Sequence, residues 1–529
     1  MALTSWRRTR CAVLVGAAVL LVPAVIAAAG LSEAERRGKR IYIEGRGRGP
    51  ISAYLVGPRL SAPGSAFPCA NCHLGEGPGV KEGGVQAADI RHATLTKAFE
   101  GVRPSGRAHP PYADGDLERA VAFGADPGGN ALHEAHPRYA MSPDDLADLV
   151  AYLKIVGREP VPGVTEREVR VGVLLPDRGP LAEAGNAVTR LLRGYFDEVN
   201  ARGGLFRRAL TLVPVLFDPA REDSVTAAVR EVVEEENLFC LLANVGVPPD
   251  HESLKALSAA QVPVIAPLQV ALDGGYGADR YTFHVWASIR DQARVMVDFL
   301  TQAASRAPAR LAVLHVSDAS GEAAAAGARE QLAKHGRSVV AEVAFAPGRL
   351  SAPEIVSRLR DASAEAVLFF GSGTDVLAFL DETERQQWRP LVLAPAPMVG
   401  RSLLSLPAGV ARSVYLASPI ASPDPAARET AEFLRLAARS AGSGDHRSFQ
   451  MLAFAGAKLL EEGLRRSGRD VSRQRVVDAL GSLWRFPTGV TPPLTYSGNR
   501  RVGALGSQIL AIDAEQGRLT VAAPWREPR

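Results

Sequence analysis

The strongest constraint on the fold is a repeated alternation of short apolar runs and amphipathic helical stretches, which fills the chain from residue 169 onward. The apolar runs have the length of strands and fall into two sets, at 169–175, 210–217, 239–243 and 262–265, then at 311–316, 339–345, 366–370 and 391–394. Helical stretches at 187–201, 223–236 and 251–259 separate the runs of the first set. Such alternation is typical of parallel sheets covered by helices. The two sets predict two α/β lobes, and ligands of such sheets bind at the carboxyl ends of the strands, in the cleft between the lobes.

Several segments of this region resemble type I periplasmic binding proteins, in particular the leucine/isoleucine/valine-binding group. The segments are 171–176, 179–181, 197–204, 262–267 and 364–373. The resemblance implies a two-lobed α/β domain with parallel sheets over residues 169–529. It also implies a small-molecule solute as ligand, an ABC permease as partner, and lobes that close by hinge motion.

The solute pocket departs from that family. Members that bind amino acids hold the ligand carboxylate with serine or threonine hydroxyls after the third and fourth strands, and the loops at 244–250 and 268–275 lack these hydroxyls. Four polar residues directly after candidate strands are predicted to face the cleft: Asn244, Gln269, Asp318 and Ser372. Polar residues in such loops also serve as solvent-facing caps, so both roles stay open at this point.

A separate motif near the N-terminus, Cys69-Ala-Asn-Cys72-His73, carries a different chemistry. Two thiols three positions apart can add to the vinyl groups of a haem, and a histidine directly after them can coordinate the iron. A disulfide is the alternative in an exported protein, whereas a zinc site needs four ligands and a redox dithiol expects no histidine here. The motif predicts one covalent haem c, with thioether bonds to Cys69 and Cys72 and with His73 as the proximal iron ligand. Cys240 lies in an apolar run and is predicted to be a buried strand residue.

Residues 31–157 are predicted to form the domain that holds this haem. Its last helix begins at Ser142, a favoured N-cap, followed by Pro143 at the first helical position. Segments 38–42, 68–73, 82–85, 109–112, 136–139 and 151–154 resemble a class I cytochrome c domain. The resemblance implies a small all-α domain, and a linker at 158–168 with two prolines and a glycine separates it from the α/β region.

The distal iron ligand is the point at which this segment departs from the cytochrome family. Class I cytochromes normally carry a methionine before a proline ahead of the last helix, and His136 occupies that position here. His136 is therefore predicted to be the distal ligand, which gives a lower reduction potential than methionine does. Met141 is the alternative ligand if the loop shifts. His92, His109 and His133 rank below both.

The first 30 residues have the pattern of an export signal, with arginines at 7, 8 and 10 before an apolar run. We expect a cleaved signal peptide and a periplasmic protein, with an uncleaved inner-membrane anchor as the alternative because the run is long enough to span a bilayer. A net charge of +4 over 529 residues gives no indication of nucleic-acid binding. The mean hydropathy of +0.00 fits globular domains rather than a multi-span membrane protein.

Together these features predict an exported c-type cytochrome that couples electron transfer to a solute-binding domain. The expected partners are a small-molecule solute, an ABC permease, and a periplasmic or membrane redox partner such as a quinoprotein dehydrogenase. One alternative is an importer receptor in which the haem acts as a redox sensor, and another is a haem enzyme. An iron with both axial positions filled disfavours an enzyme, so we expect an electron carrier and binding protein rather than a catalyst.

Overall fold

A computed structural model describes residues 31–97, 108–179, 181–221, 223–234, 237–246, 251–268, 279–302, 310–399, 402–421, 427–440 and 446–529. The chain divides into two compact units, Met1–Pro160 and Val161–Arg529. The predicted signal peptide at 1–30 lies outside the described residues. Within the described ranges, no helix combines the length and the apolar character that crossing a bilayer requires.

The described part of the first unit contains helices and two small antiparallel sheets. Its elements are α1 (Glu33–Glu44), β1 (Ser52–Leu55), β2 (Leu60–Pro63), a 3-10 turn (Gly64–Ala66), α2 (Ala70–His73), β3 (Lys81–Glu82), β4 (Val85–Gln86), α3 (His92–Leu95), α4 (Asp114–Phe123), β5 (Arg138–Ala140) and α5 (Pro143–Leu153). One sheet has the order β2-β1-β5, and the other pairs β3 with β4. The unit therefore differs from the predicted all-α domain. These strands are two to four residues long, and such a length is too short for an alternating pattern to stand out in the sequence.

The first and last helices of this unit pack closely against each other. Gly38 lies at their contact, because a Cβ on this residue would come within 2.0 Å of the Asp148 carbonyl oxygen on α5. Ile41 and Tyr42 on α1 are buried in the same core. At the start of α5 the hydroxyl of Ser142 accepts a hydrogen bond from the Asp145 amide, as predicted for this N-cap.

A buried carboxylate ties α1 to α5. Asp148 is 4% exposed and accepts hydrogen bonds from Arg37 Nε at 2.7 Å and from Arg48 Nη2 at 2.7 Å. The hydrogen bonds from these two guanidinium groups hold the pKa of the Asp148 carboxyl below its ordinary value. Positive charges that look like solvated surface in the sequence are thus used inside the unit.

The second unit begins with a lobe built on a parallel sheet. Its elements are β6 (Glu168–Pro176), α6 (Ala182–Ala201), β7 (Ala209–Phe217), α7 (Ser224–Glu234), β8 (Cys240–Leu242), α8 (His251–Ala259), β9 (Val264–Ile265) and β10 (Thr282–Phe283), with the strand order β10-β9-β8-β6-β7. Part of the predicted linker at 158–168 belongs to this lobe, because the Gly163 amide donates to Asn237 Oδ1 at 2.7 Å. We call this part of the molecule lobe 1.

A second parallel sheet forms lobe 2. Its elements are α9 (Ile289–Gln302), β11 (Leu311–Val316), α10 (Ala319–Lys334), β12 (Ala341–Phe345), α11 (Ala352–Asp361), β13 (Ala366–Phe370), α12 (Gly373–Arg385), β14 (Leu391–Pro395), α13 (Ala396–Val399), a 3-10 turn (Ser402–Ser405), α14 (Ala408–Ala411) and β15 (Val414–Ser418). The predicted strands of both sets lie on β6 to β9 and β11 to β14. The two-lobed α/β prediction is therefore confirmed.

The chain then returns to lobe 1 before it ends in lobe 2. Three helices, α15 (Arg428–Arg439), α16 (Arg447–Ser467) and α17 (Arg473–Gly481), contribute to the core that also contains α6 and β6. Two antiparallel strands, β16 (Ser507–Asp513) and β17 (Arg518–Arg526), then complete the sheet of lobe 2 in the order β12-β11-β13-β14-β15-β16-β17. Each lobe is thus assembled from two separate stretches of chain.

Candidate functional site

One cavity in the first unit brings together the residues of the N-terminal motif. Cys69, Cys72, His73 and His136 all line it. The remaining lining is mostly apolar or aromatic and includes Phe67, Val80, Val85, Ile90, Leu95, Tyr112, Leu117, Val121, Leu132, Pro137, Tyr139 and Leu153. The cavity thus combines two thiols and four imidazoles, including those of His109 and His133, with a mostly apolar wall.

The orientation of His73 is fixed by a backbone carbonyl. His73 ends the short helix α2, and its Nδ1 lies 2.9 Å from the Ala88 carbonyl oxygen. Because a carbonyl only accepts hydrogen bonds, Nδ1 carries the proton, and the lone pair of Nε2 is available for a metal. Burial lowers the pKa of His73, which favours this neutral form.

His136 is held on the loop that precedes β5. Its amide donates to the His133 carbonyl at 2.9 Å, and Arg138 Nη1 donates to the His136 carbonyl at 2.5 Å. Burial lowers the pKa of His136 to about 4, and the nearby charges of His73 and Arg138 add to the effect. Arg138 Nη1 also lies 3.2 Å from His136 Nδ1. A histidine that binds a metal through Nε2 carries its proton on Nδ1. If His136 binds in this way, Arg138 Nη1 keeps its hydrogen bond to the His136 carbonyl and no longer donates to Nδ1.

The backbone beside this loop depends on a glycine. Gly124 directly follows α4 with φ +64, and a Cβ there would come within 1.9 Å of the Arg138 guanidinium carbon. Only glycine suits both the left-handed backbone and the close approach. Gly124 therefore allows Arg138 to reach the loop that carries His136.

The separation of the two imidazoles fits one metal ion between them. The ring centres of His73 and His136 are 6.4 Å apart, with an interplanar angle of 64°. Two imidazoles that bind one metal at about 2.0 Å from each nitrogen have ring centres roughly 6 Å apart. The ring separation is thus compatible with a haem iron between His73 and His136, and this ligation stays a prediction.

The environment of the cysteines argues against the redox-dithiol alternative. Burial raises the pKa of the Cys69 thiol to about 11, whereas redox dithiols have a thiol whose pKa is lowered. Cys69 and Cys72 are not joined by a disulfide. Tyr139 is buried beside Cys69, and its hydroxyl donates to the Phe67 carbonyl at 2.6 Å. This hydrogen bond holds the segment that precedes the cysteine motif. In the sequence, Tyr139 was indicated only by its place in segment 136–139, which resembles a cytochrome c.

Of the other candidate iron ligands, His109 and His133 line the same cavity and Met141 does not. Met141 packs at the edge of the hydrophobic core of the unit and is not among the described residues that line the cavity. His109 and His133 do line it. The Nδ1 of His109 is engaged by the Pro110 carbonyl oxygen at 2.8 Å, and the Nδ1 of His133 accepts from the Ala135 amide.

The polar residues predicted for the solute cleft have structural partners within their own lobes. Asn244 is 2% exposed, and its Oδ1 accepts from the Leu174 amide at 3.0 Å. Asp318 is the N-cap of α10, and Ser372 is the N-cap of α12. Gln269 lies outside the described residues. The capping and bracing roles are thus observed, and solute contact by these residues stays a prediction.

The buried cysteine of lobe 1 is a strand residue, as predicted. Cys240 lies on β8 with 0% exposure, and burial raises the pKa of its thiol to about 12. The backbone around it is held by Arg473, which donates to the carbonyls of Leu238, Phe239 and Ala260 at 2.5, 2.9 and 2.7 Å. This contact between α17 and the first sheet was not predictable from the sequence.

The second unit has two α/β lobes with mainly parallel strands, and each lobe is built from two stretches of chain. This architecture is that of a two-lobed solute-binding protein. The family model described as "Periplasmic binding protein" matches residues 168–515, and the chain belongs to this family. The match covers most of the second unit and does not include the cavity of the first. The family is periplasmic and exported.

Similar proteins share this second unit. Leu/Ile/Val-binding protein homolog 3 of Brucella melitensis biotype 1 is 22% identical over 332 residues, which are 62% of this chain and 87% of that protein. A branched chain amino acid ABC transporter from Thermus thermophilus, solved with bound valine, has a TM-score of 0.56 at 16% identity, over 68% of this chain and 97% of that chain. A fatty acid ABC transporter substrate-binding protein from Thermomonospora curvata has a TM-score of 0.57 at 17% identity, over 70% of this chain and 95% of that chain. At these identities the two structures show a shared fold.

Proposed function

We propose that this chain is an exported solute receptor of an ABC importer whose N-terminal unit carries one covalently attached haem c. Family membership supports solute binding by the second unit. The observation that carries the haem proposal is the cavity lined together by Cys69, Cys72, His73 and His136. When bound there, the haem supplies one-electron exchange.

The residues of the chain have distinct roles toward this group. Cys69 and Cys72 anchor it by thioether bonds, and the hydrogen bond from His73 to Ala88 orients the proximal imidazole. His136 would supply the second iron ligand, and Arg138 holds the loop that carries it. With both axial positions filled, electron transfer is favoured over catalysis, and the redox partner is a periplasmic or membrane protein such as a quinoprotein dehydrogenase.

For the second unit we propose apolar carboxylic acids as the solute class. The similar proteins are named for leucine, isoleucine and valine or for fatty acids, and these ligands share an apolar chain and a carboxylate. The side chain of Asp318 is a carboxylate and caps α10, and the hydroxyl of Ser372 caps α12, so neither is a free hydroxyl of the kind typical of amino-acid receptors. The solute carboxylate is then held by other groups, and the downstream partner is an ABC permease.

Haem attachment is tested by mass spectrometry on protein exported from cells that assemble c-type cytochromes. The wild-type chain is expected to keep the mass of one haem after denaturation and acid extraction, and a Cys69→Ala/Cys72→Ala double variant is expected to lose it. Cys240→Ala is the matched control, because that thiol is buried in lobe 1, and it should retain the haem. A wild-type protein without covalent haem would refute the proposal.

The axial ligands are tested by spectroscopy of single variants. His136→Ala should open the sixth coordination site, so that the reduced protein binds carbon monoxide, whereas Met141→Leu should leave the spectrum unchanged. Carbon monoxide binding by Met141→Leu but not by His136→Ala would transfer the distal role to Met141.

The solute class is tested by thermal unfolding of the full chain with leucine, isoleucine, valine and fatty acids of graded length. A ligand at 100 times its Kd stabilises the folded state by about 2.7 kcal/mol, so binding raises the unfolding midpoint of the second unit. Sugars and inorganic anions serve as negative controls. A shift only with these controls would contradict the proposed class.

A further inference from the structure

The cysteine-histidine motif at 69–73 is held by a tyrosine hydroxyl at each of its two ends. Tyr139 donates to the Phe67 carbonyl at 2.6 Å, and Tyr42 donates to the Leu74 carbonyl at 2.6 Å. These two carbonyls flank the motif in the sequence. The backbone on either side of the residues proposed to hold the haem is therefore tied to side chains from distant parts of the unit.

The end held by Tyr42 has an unusual backbone conformation. Leu74 has φ +59 and ψ 168, a region that belongs almost entirely to glycine. A leucine keeps such a conformation only where the surrounding contacts hold it. The Leu74 carbonyl accepts from the Gly77 amide at 3.3 Å and from Tyr42 at the shorter distance of 2.6 Å. Because His73 is the preceding residue, the position of its imidazole depends on these bonds.

The end held by Tyr139 is connected to the strand that follows His136. Tyr139 lies on β5, three residues after His136, and it pairs with Ala53 of β1. Its hydroxyl reaches from this strand to the backbone that leads into Cys69. Tyr42 is 0% exposed and Tyr139 is 8% exposed, and burial raises the pKa of both phenols, so each hydroxyl keeps the proton that it donates.

We propose that Tyr42 and Tyr139 are positioning residues that set the placement of His73 relative to His136, and with it the strength with which both imidazoles bind the haem iron. Tyr42 acts on the backbone directly after His73, and Tyr139 ties the motif to the strand next to His136. Histidine ligation favours ferric iron, so looser ligation raises the reduction potential. The inference rests on the proposed haem c and adds the residues that hold its ligands in place.

The test uses the full haem-bearing chain with Tyr42→Phe, Tyr139→Phe and Tyr152→Phe, each of which removes one hydroxyl. Tyr152→Phe is the matched control, because Tyr152 is 0% exposed and its ring centre lies 5.3 Å from that of Tyr42, whereas its hydroxyl donates to Glu159. The reduction potential, the rate at which the reduced protein binds carbon monoxide, and the unfolding midpoint are measured. Carbon monoxide binds only after an axial imidazole has left the iron, so its rate reports on ligation.

Tyr42→Phe and Tyr139→Phe are expected to raise the reduction potential and to speed carbon monoxide binding roughly three- to tenfold, the factor that corresponds to one lost hydrogen bond. Tyr152→Phe is expected to lower the unfolding midpoint as the other two do, but to keep the wild-type potential and rate. Wild-type values in both Tyr42→Phe and Tyr139→Phe would overturn the positioning roles, and so would equal changes in Tyr152→Phe.

Both of these results would leave the haem proposal intact. A wild-type chain without covalent haem would refute the proposed function and this inference with it. The mass of the wild-type chain distinguishes the two kinds of failure before any variant is compared.

Discussion

Replacement of Arg473 by methionine tests how the late helices build lobe 1. The guanidinium of Arg473 donates to three backbone carbonyls at 2.5–2.9 Å, two of them next to β8 and one directly after α8. Methionine keeps much of the apolar stem and leaves all three acceptors without this donor. A buried acceptor that loses its partner costs about 1–3 kcal/mol. Part of this cost is offset, because burial lowers the pKa of Arg473 to about 10 and the variant no longer buries a charge.

We therefore expect Arg473→Met to lower the free energy of unfolding of the second unit by about 2–4 kcal/mol. Such a loss corresponds to a fall in the unfolding midpoint of roughly 3–5 °C for a unit of this size. The assay is thermal unfolding followed by circular dichroism, with Arg475→Met as the control. Arg475 lies on the same helix and donates to the Asp470 carbonyl at an exposed position, so we expect its loss to cost less than about 0.5 kcal/mol. Equal losses of stability in the two variants would show that the hydrogen bonds of Arg473 do not hold α17 to the first sheet.

Three further predictions concern individual contacts. Asp148→Asn should destabilise the first unit by about 2 kcal/mol in chemical denaturation. The control Asp144→Asn should cost less than about 0.5 kcal/mol, because Asp144 is an exposed partner of Arg48, which also binds Asp148. Because the folded pKa of Asp148 is lowered, its contribution is present above the ordinary pKa of aspartate and is lost as pH falls through the folded value, so the two proteins should converge in stability in acid. Gly38→Ala should cost about 1–3 kcal/mol by forcing α1 away from α5, and an unchanged midpoint would contradict the close contact. Asn244→Leu should cost about 1–3 kcal/mol by removing the acceptor for the Leu174 amide, and loss of solute binding at full stability would instead assign Asn244 to the cleft.

The parallel strands of the second unit were predictable because they are buried on both faces. β13 is a continuous apolar run and β11 is interrupted only by His315, and every residue of both strands is buried. The return of α15 to α17 to lobe 1 was not predictable from pattern. An amphipathic helix shows that it has an apolar face but not which sheet that face covers. Arg473 illustrates the difficulty, since in sequence it is a cation at a helix start and in the structure it binds carbonyls more than 200 residues away.

The site predictions depended on local motifs and on a resemblance to a known family. The spacing of Cys69, Cys72 and His73 places all three at one cavity because they share a single helical turn. The presence of His136 at the same cavity depends on the path of a loop, and only the resemblance to a known family suggested it. The polar residues after the strands were recognised as loop residues, but sequence did not separate a helix cap such as Ser372 from a ligand contact, because serine suits both roles.

The central claim is that an exported receptor holds one covalent haem between two histidines. The most direct test is the visible and near-infrared absorption spectrum of the purified full chain after acid extraction of free haem and refolding. We expect a c-type spectrum with a sharp band in the reduced protein and no far-red methionine–iron band in the oxidised protein. A far-red band would contradict His136 as the distal ligand, and a protein without haem absorption would contradict the proposed haem function of the N-terminal unit altogether.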